Sequence, residues 1–477
     1  MKPDLTIVFG VVCFYIVITT YIGARSLKYN KNTANMMSAK SMMGPSIVGI
    51  LLMSEFIGTS STLGTAQTAF DNGIWAAWNL ISLGIGFLLY SYFMAPKIQA
   101  SGEYTISGVL SKAYGQRIQI IASFVMSMAL ISVNVSQLTG GGATIAKLLG
   151  ISIPIAVIVL SAASIIIVAL GGLRGVGYTN LIHASFKYMG LIILCVVAYG
   201  LYRHGSVSFD QLPANYWTPE GLGVSKIIAW TIANIGAVFS TQYVLQSISS
   251  LDSPEEAKKA SIIAAIMIVP VGAFATFIGL AAKVLFPDIN SINAIPEFLT
   301  YMNSWVAGIV VAAILASTFV TMLACTIGST ALIMKDFIIP YVRPKEKNEL
   351  SVTRTVAVTI GLLSIPFALF VPGLLKVVFF ARALRTILGV LVIFAFYAPC
   401  FASRKGAIFS VITTTIVTVL WFVLVNSGPI GDFYIGGILL KTVDNIYLAA
   451  LLPVIFMVVE HVFTRHKISE TDAEQEI

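Results

Sequence analysis

The stretch Gly171–Met189, GGLRGVGYTNLIHASFKYM, decides how this chain is read. A glycine corner opens into an apolar run that carries Asn180, His183 and Lys187. Spacings of three and four residues put all three on one helical face. A lysine about two turns inside a membrane-length run is costly unless it has a partner or a function. Either it snorkels its ammonium to the headgroups or it serves an interior site, and the choice turns on the rest of the chain.

Of the 477 residues, 57% are hydrophobic and 10% charged, against about 25% charged in soluble domains. The chain is therefore a polytopic membrane protein. Its apolar runs are too long and too uniform for barrel strands of about 10 alternating residues, so the spans are helices. A net charge of +8 would suit nucleic acid, but the basic residues flank apolar runs instead of forming one patch. Their placement is a topology signal, and no nucleic-acid partner is expected. Cys13, Cys195, Cys325 and Cys400 lie in or beside apolar runs without CxxC spacing, as buried thiols would, so neither disulfides nor a metal site is expected. The first run starts at Leu5 with no basic segment before it and reads as a retained helix, not a cleaved signal.

Apolar runs lie near 5–24, 43–69, 74–95, 119–146, 151–170, 178–201, 225–249, 261–285, 305–334, 352–371, 375–398, 407–425 and 444–463. The expectation is an all-α polytopic membrane protein of about thirteen transmembrane helices. An odd number puts the termini on opposite sides. The clusters Arg25–Lys40 and Lys335–Arg354 are the densest in Lys and Arg, and they fall on one side with Lys97, Lys112, Lys258, Lys259, Arg404 and Arg465. By the positive-inside rule the N-terminus is outside and the C-terminus inside. Residues 203–223 and 287–304 are longer outer connections suited to lids or interfacial helices, and LDSPEEAKKA (Leu251–Ala260) suits a short cytoplasmic helix capped by Asp252. The chain reads as one transmembrane domain over 1–465 with an acidic, disordered cytoplasmic tail over 466–477.

Two runs carry helix-weakening residues at mid-depth. Gly49–Gln67 holds Gly49, Gly58, Gly64, a crowd of Ser and Thr, and Glu55; Ile227–Ser247 holds Asn234, Gly236, Ser240, Thr241 and Gln242. Unwound backbone at membrane depth is tolerated where it lines a protein cavity. Glycine-interrupted helices in corresponding halves point to a transporter's binding site. With the first helix (5–24) set aside, these are the first and sixth of the next ten, an inverted-repeat count with repeats at 43–201 and 225–398 and extra helices at 407–425 and 444–463.

These runs bring the chain close to a known family. SEFIGTSS (Ser54–Ser61), APKIQASGEYTISGVLSKAYG (Ala95–Gly115), QLTGGG (Gln137–Gly142), GGLRGVGYTNLIH, TQYVLQS followed by SPEEAKKA, and GIVVAAILASTFVTMLACTIGSTALIMKDFI (Gly308–Ile338) together resemble the sodium:solute symporter family of proline, pantothenate, sialic acid and sugar symporters. The resemblance implies a leucine-transporter-like fold and symport of a small solute with sodium. It also implies a sodium site built from the carbonyls of Val48, Leu51 and Ser317 and from side chains at Val320 and Thr321. One of the family's two hydroxyls is thus a valine here. Asn180 stands where the family has an aspartate and His183 where it has a glutamine. Lys187 lies about 10 Å further along that helix from Asn180, at 1.5 Å per residue, near the depth of the implied ion. Either sodium still binds at a weakened site, or the ammonium hydrogen-bonds Thr321 and the carbonyls in its place and transport runs on protons or without an ion.

For the solute, the resemblance implies a cavity between the two broken helices. Asn234 matches a polar position of the sugar members, Glu55 replaces an amide, and Asn134 and Gln137 lie one turn apart on the third core helix. Arg382 and Arg385 in KVVFFARALRTILGVLVIF also lie one turn apart, and guanidiniums at mid-depth need an anion. They either pair with Glu55 or bind a carboxylate-bearing solute, whose ammonium would meet Glu55 if it is an amino acid. No enzyme motif is present, the four histidines are scattered, and neither a catalytic residue nor an organic cofactor is expected. A membrane sensor module and a channel are the other readings, the latter less suited to paired broken helices. The expected location is the plasma (inner) membrane.

Overall fold

The computed structural model describes residues 3–26, 43–170, 173–205, 207–369, 374–401, 403–435 and 438–474. The Gly171–Gly172 corner and most of the Arg25–Lys40 cluster lie outside them. The helices are α1 (Leu5–Ser26), α2 (Pro45–Phe56), α3 (Thr59–Asn72), α4 (Trp78–Phe93), α5 (Ala95–Ser101), α6 (Ile106–Tyr114), α7 (Gln116–Leu149), α8 (Ile153–Leu170) and α9 (Leu173–His204). There follow α10 (Val224–Ser240), α11 (Gln242–Ser249), α12 (Pro254–Leu285), α13 (Ser304–Ile333), α14 (Glu346–Ala368), α15 (Leu374–Tyr397), α16 (Arg404–Trp421) and α17 (Asn445–Glu474). Among the described residues, several short helical segments, the longest at Met334–Val342, and one antiparallel pair, Tyr434–Ile435 with Ile438–Leu439, complete the regular structure.

Among the described residues, nine helical runs are long and apolar enough to cross a membrane, or eleven with each of two bent pairs taken as one span. Two shorter apolar helices, Leu5–Thr19 and Ile153–Ala162, stand beside them. The bent pairs are α2 with α3, at 54°, and α10 with α11, at 45°. Both fall in the runs singled out for weak helix formers, and the chemistry of each bend is local. Ile57 (φ −90, ψ 69) and extended Gly58 (φ −80, ψ 176) end α2 and start α3. A Cβ on Gly58 would meet the Gln137 amide on α7, so a larger residue here would require that side chain to shift. The second bend falls at Thr241 (φ −62, ψ 127). Gly236 is not the breaking residue. It lies inside α10, where a Cβ would strike Thr386 while Gly389 sits against its carbonyl, so two glycines let α10 and α15 cross closely.

The helix α13 is the axis of the bundle. Buried residues make up 89% of an 18-residue apolar stretch of its run, against 22% for that of α17, and it packs on α9, α7 and α1. α10 packs on α15 and α4, and α12 on α4, α3 and α2, so both bent pairs are enclosed by protein. Large apolar side chains such as Phe14, Phe124, Ile266 and Phe463 face outward, as lipid contact requires.

Four details differ from the expectations. The cap at Leu251–Ala260 is Ser253, whose hydroxyl accepts from Glu256 N at 3.2 Å, and the helix that starts at Pro254 continues to Leu285. Cys325 is buried as expected, but Cys195 is half-buried and Cys13 and Cys400 are exposed on the bundle's apolar rim. The last helix runs on to Glu474, past the start of the tail read as disordered; no Gly or Pro interrupts that polar segment. The outer connections fold as short turns, Phe209–Gln211, Ala214–Trp217, Pro219–Leu222 and Pro296–Tyr301 among them.

Candidate functional site

The first bend leaves backbone carbonyls without helical partners, and the site is built on them. Up to Ile57, whose N–H reaches Met53 O at 3.0 Å, α2 is regular. Beyond it, the Lys187 ammonium on α9 donates to Ser54 O at 2.6 Å and Ile57 O at 2.8 Å, and Ser61 Oγ donates to Phe56 O at 3.1 Å. Lys187 is 3% exposed, so it does not snorkel. The other face of the bend is tied to α13: Thr59 Oγ1 donates to Ile314 O at 2.9 Å and lies 2.7 Å from Thr318 Oγ1. A cavity of about 20 Å³ beside the ammonium is lined by Thr59, Thr62 and Ser317. One turn back along α9, His183 Nδ1 lies 2.5 Å from the Tyr15 hydroxyl of α1. Asn180 is buried, and neither amide atom has a hydrogen-bond partner among the described residues.

On the opposite side of the bend a second cavity, about 10 Å³, lies between the two broken helices and is lined by Glu55, Ser61, Gln137, Tyr243, Thr321, Arg382 and Arg385. This is room for about one water, so the cavity is closed down around its polar groups. Arg382 donates to Asn79 Oδ1 at 2.8 Å and stacks its guanidinium 4.7 Å over Phe379. Arg385 donates one N–H to Thr241 Oγ1 at 3.3 Å and faces the Tyr243 ring at 5.8 Å. Its Nε and Nη2 find no acceptor, and neither do both carboxylate oxygens of Glu55 find a donor, among the described residues. Both side chains are buried, with Glu55 0% and Arg385 2% exposed. The described ion pairs do not join Glu55 to either arginine. Buried charges left in this state are costly. The cavity is therefore lined by Tyr243, a guanidinium edge and a carboxyl group, the last two without hydrogen-bond partners among the described residues.

Above Arg382 the bundle opens. A vestibule of about 470 Å³ is lined by Lys226, Trp230, Lys376, Phe379, Lys441 and Asp444 among others. Its floor is Trp230 stacked on Phe379, 4.7 Å apart and 7° from parallel, with Arg382 against Phe379. The opposite end is strapped shut. Lys335 pairs with Glu103 at 2.8 Å and Lys112 with the same carboxylate at 3.4 Å. Ser249 Oγ holds Glu103 O, and Gln242 holds Ile106 N and Tyr104 O. Burial opposes ionisation of Glu103, but the hydrogen bonds and charges of Lys335 and Lys112 outweigh it and hold this carboxyl below its ordinary range. Asp336 bonds Ser123 and Gln119 nearby.

The structure gathers some of the residues expected from the sequence and disperses others. Glu55, Gln137, Thr321, Arg382 and Arg385 share one cavity, and Lys187 and Ser317 share the other. Asn234 turns to α4, donating to Asn79 O at 2.8 Å and Ser82 Oγ at 2.7 Å, and Asn134 donates to Thr326 Oγ1 at 3.1 Å; neither lines the cavity. Val48 and Leu51 lie within regular α2, where helical N–H groups take their carbonyls, because the bend comes six residues after Leu51. Val320 is buried and offers no oxygen. Thr321 is not the acceptor of Lys187; its hydroxyl, without a partner among the described residues, faces the Glu55 cavity. Sequence reasoning named Thr241 only as a helix-weakening residue and passed over Tyr243, although both lie in the TQYVLQS run, and over Asn79, Trp230, Phe379 and Tyr15. Trp230 and Phe379 carry no signal of their own in the sequence.

Comparison with known proteins decides the family. The model of the sodium:solute symporter family matches residues 36–414. The chain belongs to the sodium:solute symporter family. The sodium/glucose cotransporter of Vibrio parahaemolyticus is 24% identical over 392 residues, 73% of this chain and 72% of the relative. The sodium/proline symporter of Escherichia coli (strain K12) is 22% identical over 382 residues, 75% and 76% of the two chains. Among solved structures, a Na+-coupled sialic acid symporter in a substrate-bound outward-open state matches with a TM-score of 0.79 at 15% identity, covering 96% of this chain and 98% of the other. The fold of this multi-pass membrane protein is the leucine-transporter-like fold of that symporter.

Proposed function

We propose that this family member is a secondary active transporter that imports a small polar organic solute bearing a carboxylate across the plasma (inner) membrane. The observation that carries the solute class is the pair of buried groups without partners that line one cavity, Arg385 through Nε and Nη2 and Glu55 through both carboxyl oxygens. The Nε and Nη2 edge of a guanidinium matches a carboxylate with two parallel hydrogen bonds. Glu55 suits an ammonium, which makes an amino acid the best fit. Proline and sialic acid, named for two relatives, both carry a carboxylate.

The solute enters from the lysine-rich vestibule, passes Trp230 and Phe379, and meets Arg382 and then Arg385. Release requires the Glu103–Lys335 strap at the other end to open, which is alternating access around a fixed site. The proposed topology has thirteen spans, vestibule and N-terminus outside, strap and C-terminus inside. Sodium is the coupling ion of the named relatives.

A thermal-shift screen of purified protein against amino acids, other small carboxylates, neutral sugars and polyols tests the solute class. Stabilisation confined to carboxylates and lost in Arg385→Gln supports it. Stabilisation by neutral sugars that persists in Arg385→Gln overturns it.

A further inference from the structure

The family implies a bound sodium ion, and the residues of this chain do not fit one at the bend. Sodium is a hard cation that wants several oxygens. The carbonyls freed by the bend, Ser54 and Ile57, are already held at 2.6 and 2.8 Å by the Lys187 ammonium. The α13 hydroxyls beside the bend donate within their own helix and keep their lone pairs, so it is the ammonium on the carbonyls that excludes a second cation. Ser317 Oγ donates to Ala313 O at 3.1 Å, and Thr318 Oγ1 donates to Ile314 O and contacts Thr59. A second cation would sit within a few ångströms of a buried ammonium, where like charges repel strongly.

We propose that Lys187 is the resident cation of this site, a tethered ammonium in place of the coupling ion, and that the protein binds no sodium. An ammonium suits the position because it supplies up to three N–H donors to carbonyls that point at one spot. Glu55, the acid of the neighbouring cavity, makes no hydrogen bond to it among the described residues. The groups facing it are few. Its own helix brings His183 and Tyr188, whose hydroxyl bonds Met267 O on α12, and α1 brings Tyr15 onto His183. The described residues of α13 at this level are uncharged. The tether has a mechanical consequence: α9 is fastened to the bend of α2 and α3 throughout the cycle, where an ion would be free to leave.

The proposal concerns the cation and stands apart from the nature of the solute, so its test uses sodium alone. The full chain in lipid nanodiscs is titrated with ²²Na+ in a proximity-binding assay. In parallel, its thermal unfolding is followed in NaCl and in choline chloride at equal ionic strength. The expected result is no saturable ²²Na+ binding and identical unfolding curves in the two salts. Lys187→Met, which keeps the length but loses the charge, is expected to unfold earlier and to be stabilised by sodium more than by choline, because the carbonyls are then free. Saturable ²²Na+ binding to the wild type, or a sodium-specific rise in its unfolding temperature, overturns the proposal. If Lys187→Met does not fold, the wild-type measurement decides alone.

Discussion

Replacing Arg385 by glutamine should move stability and solute binding in opposite directions. Without solute, the guanidinium is buried with one long hydrogen bond, 3.3 Å to Thr241, and two nitrogens lacking acceptors. An unsatisfied buried polar group costs about 1–3 kcal/mol, more when charged, so the neutral variant should be more stable than the wild type by about that amount. With solute, the lost interaction is a buried, charge-assisted, two-point contact. Truncating one partner of such a pair costs about 2–5 kcal/mol, and at about 1.4 kcal/mol per tenfold the Kd should rise from about 30-fold to a few thousandfold. Arg385→Lys keeps the charge but not the planar fork and should fall between the two. The assay is thermal unfolding of the purified proteins with and without the best carboxylate from the screen, with Kd from calorimetry. A destabilised solute-free variant that binds the carboxylate normally would refute the reasoning, since Arg385 would then be a structural cation.

Further predictions rest on other parts of the structure. Glu103 titrates below the ordinary carboxyl value of 4.5. Its contribution to the inner strap is therefore fully present above that value and is lost as pH falls through the lowered one; Glu103→Gln should lower the amide exchange protection factors at Tyr104–Ser107 at neutral pH, and acidification of the wild type is expected to lower the same protection factors. Tyr15→Phe removes the hydroxyl that meets His183 Nδ1 and should cost about 1 kcal/mol of stability with solute Kd unchanged, because Tyr15 lines neither cavity. Gly236→Ala drives a methyl into Thr386 on α15; it should destabilise by about 1–3 kcal/mol, the usual cost of overpacking, and Thr386→Ser should recover part of it in the double variant. Trp230→Ala opens the vestibule floor and should speed both binding and release in stopped-flow measurements, with a smaller change in Kd.

The fold was largely legible because its determinants are local. Membrane-length apolar runs announce themselves by composition, and the clusters Gly58-Thr59-Ser60-Ser61 and Ser240-Thr241-Gln242 mark the two bends through weak helix formers. The polar stripe Asn180, His183 and Lys187 was legible as one face for the same reason. Side-chain partners across helices were harder. The spacing along α9 fixes the face of Lys187 but not which turn of α2 lies opposite, so the expected partners were the carbonyls of Val48 and Leu51 and the hydroxyl of Thr321. In the structure they are Ser54 and Ile57, because a free carbonyl exists only where the helix stops. Asn234 looked like a solute ligand from its place before the bend, yet a helix turns each successive residue by about 100°, which aims it at Asn79 and Ser82 on α4. Arg382 and Arg385 were legible by cost alone, since guanidiniums at that depth demand a partner. That Glu55 and Arg385 share a cavity without pairing could not be read from order along the chain.

Solute counterflow tests the solute cavity and the tethered cation at once. Proteoliposomes are loaded with the best carboxylate from the screen and diluted into medium containing a trace of the labelled compound, with choline as the external cation and sodium absent throughout. The account predicts a transient accumulation of label in the wild type, unchanged when sodium replaces choline, and none in Arg385→Gln. Accumulation that appears only with sodium would contradict it.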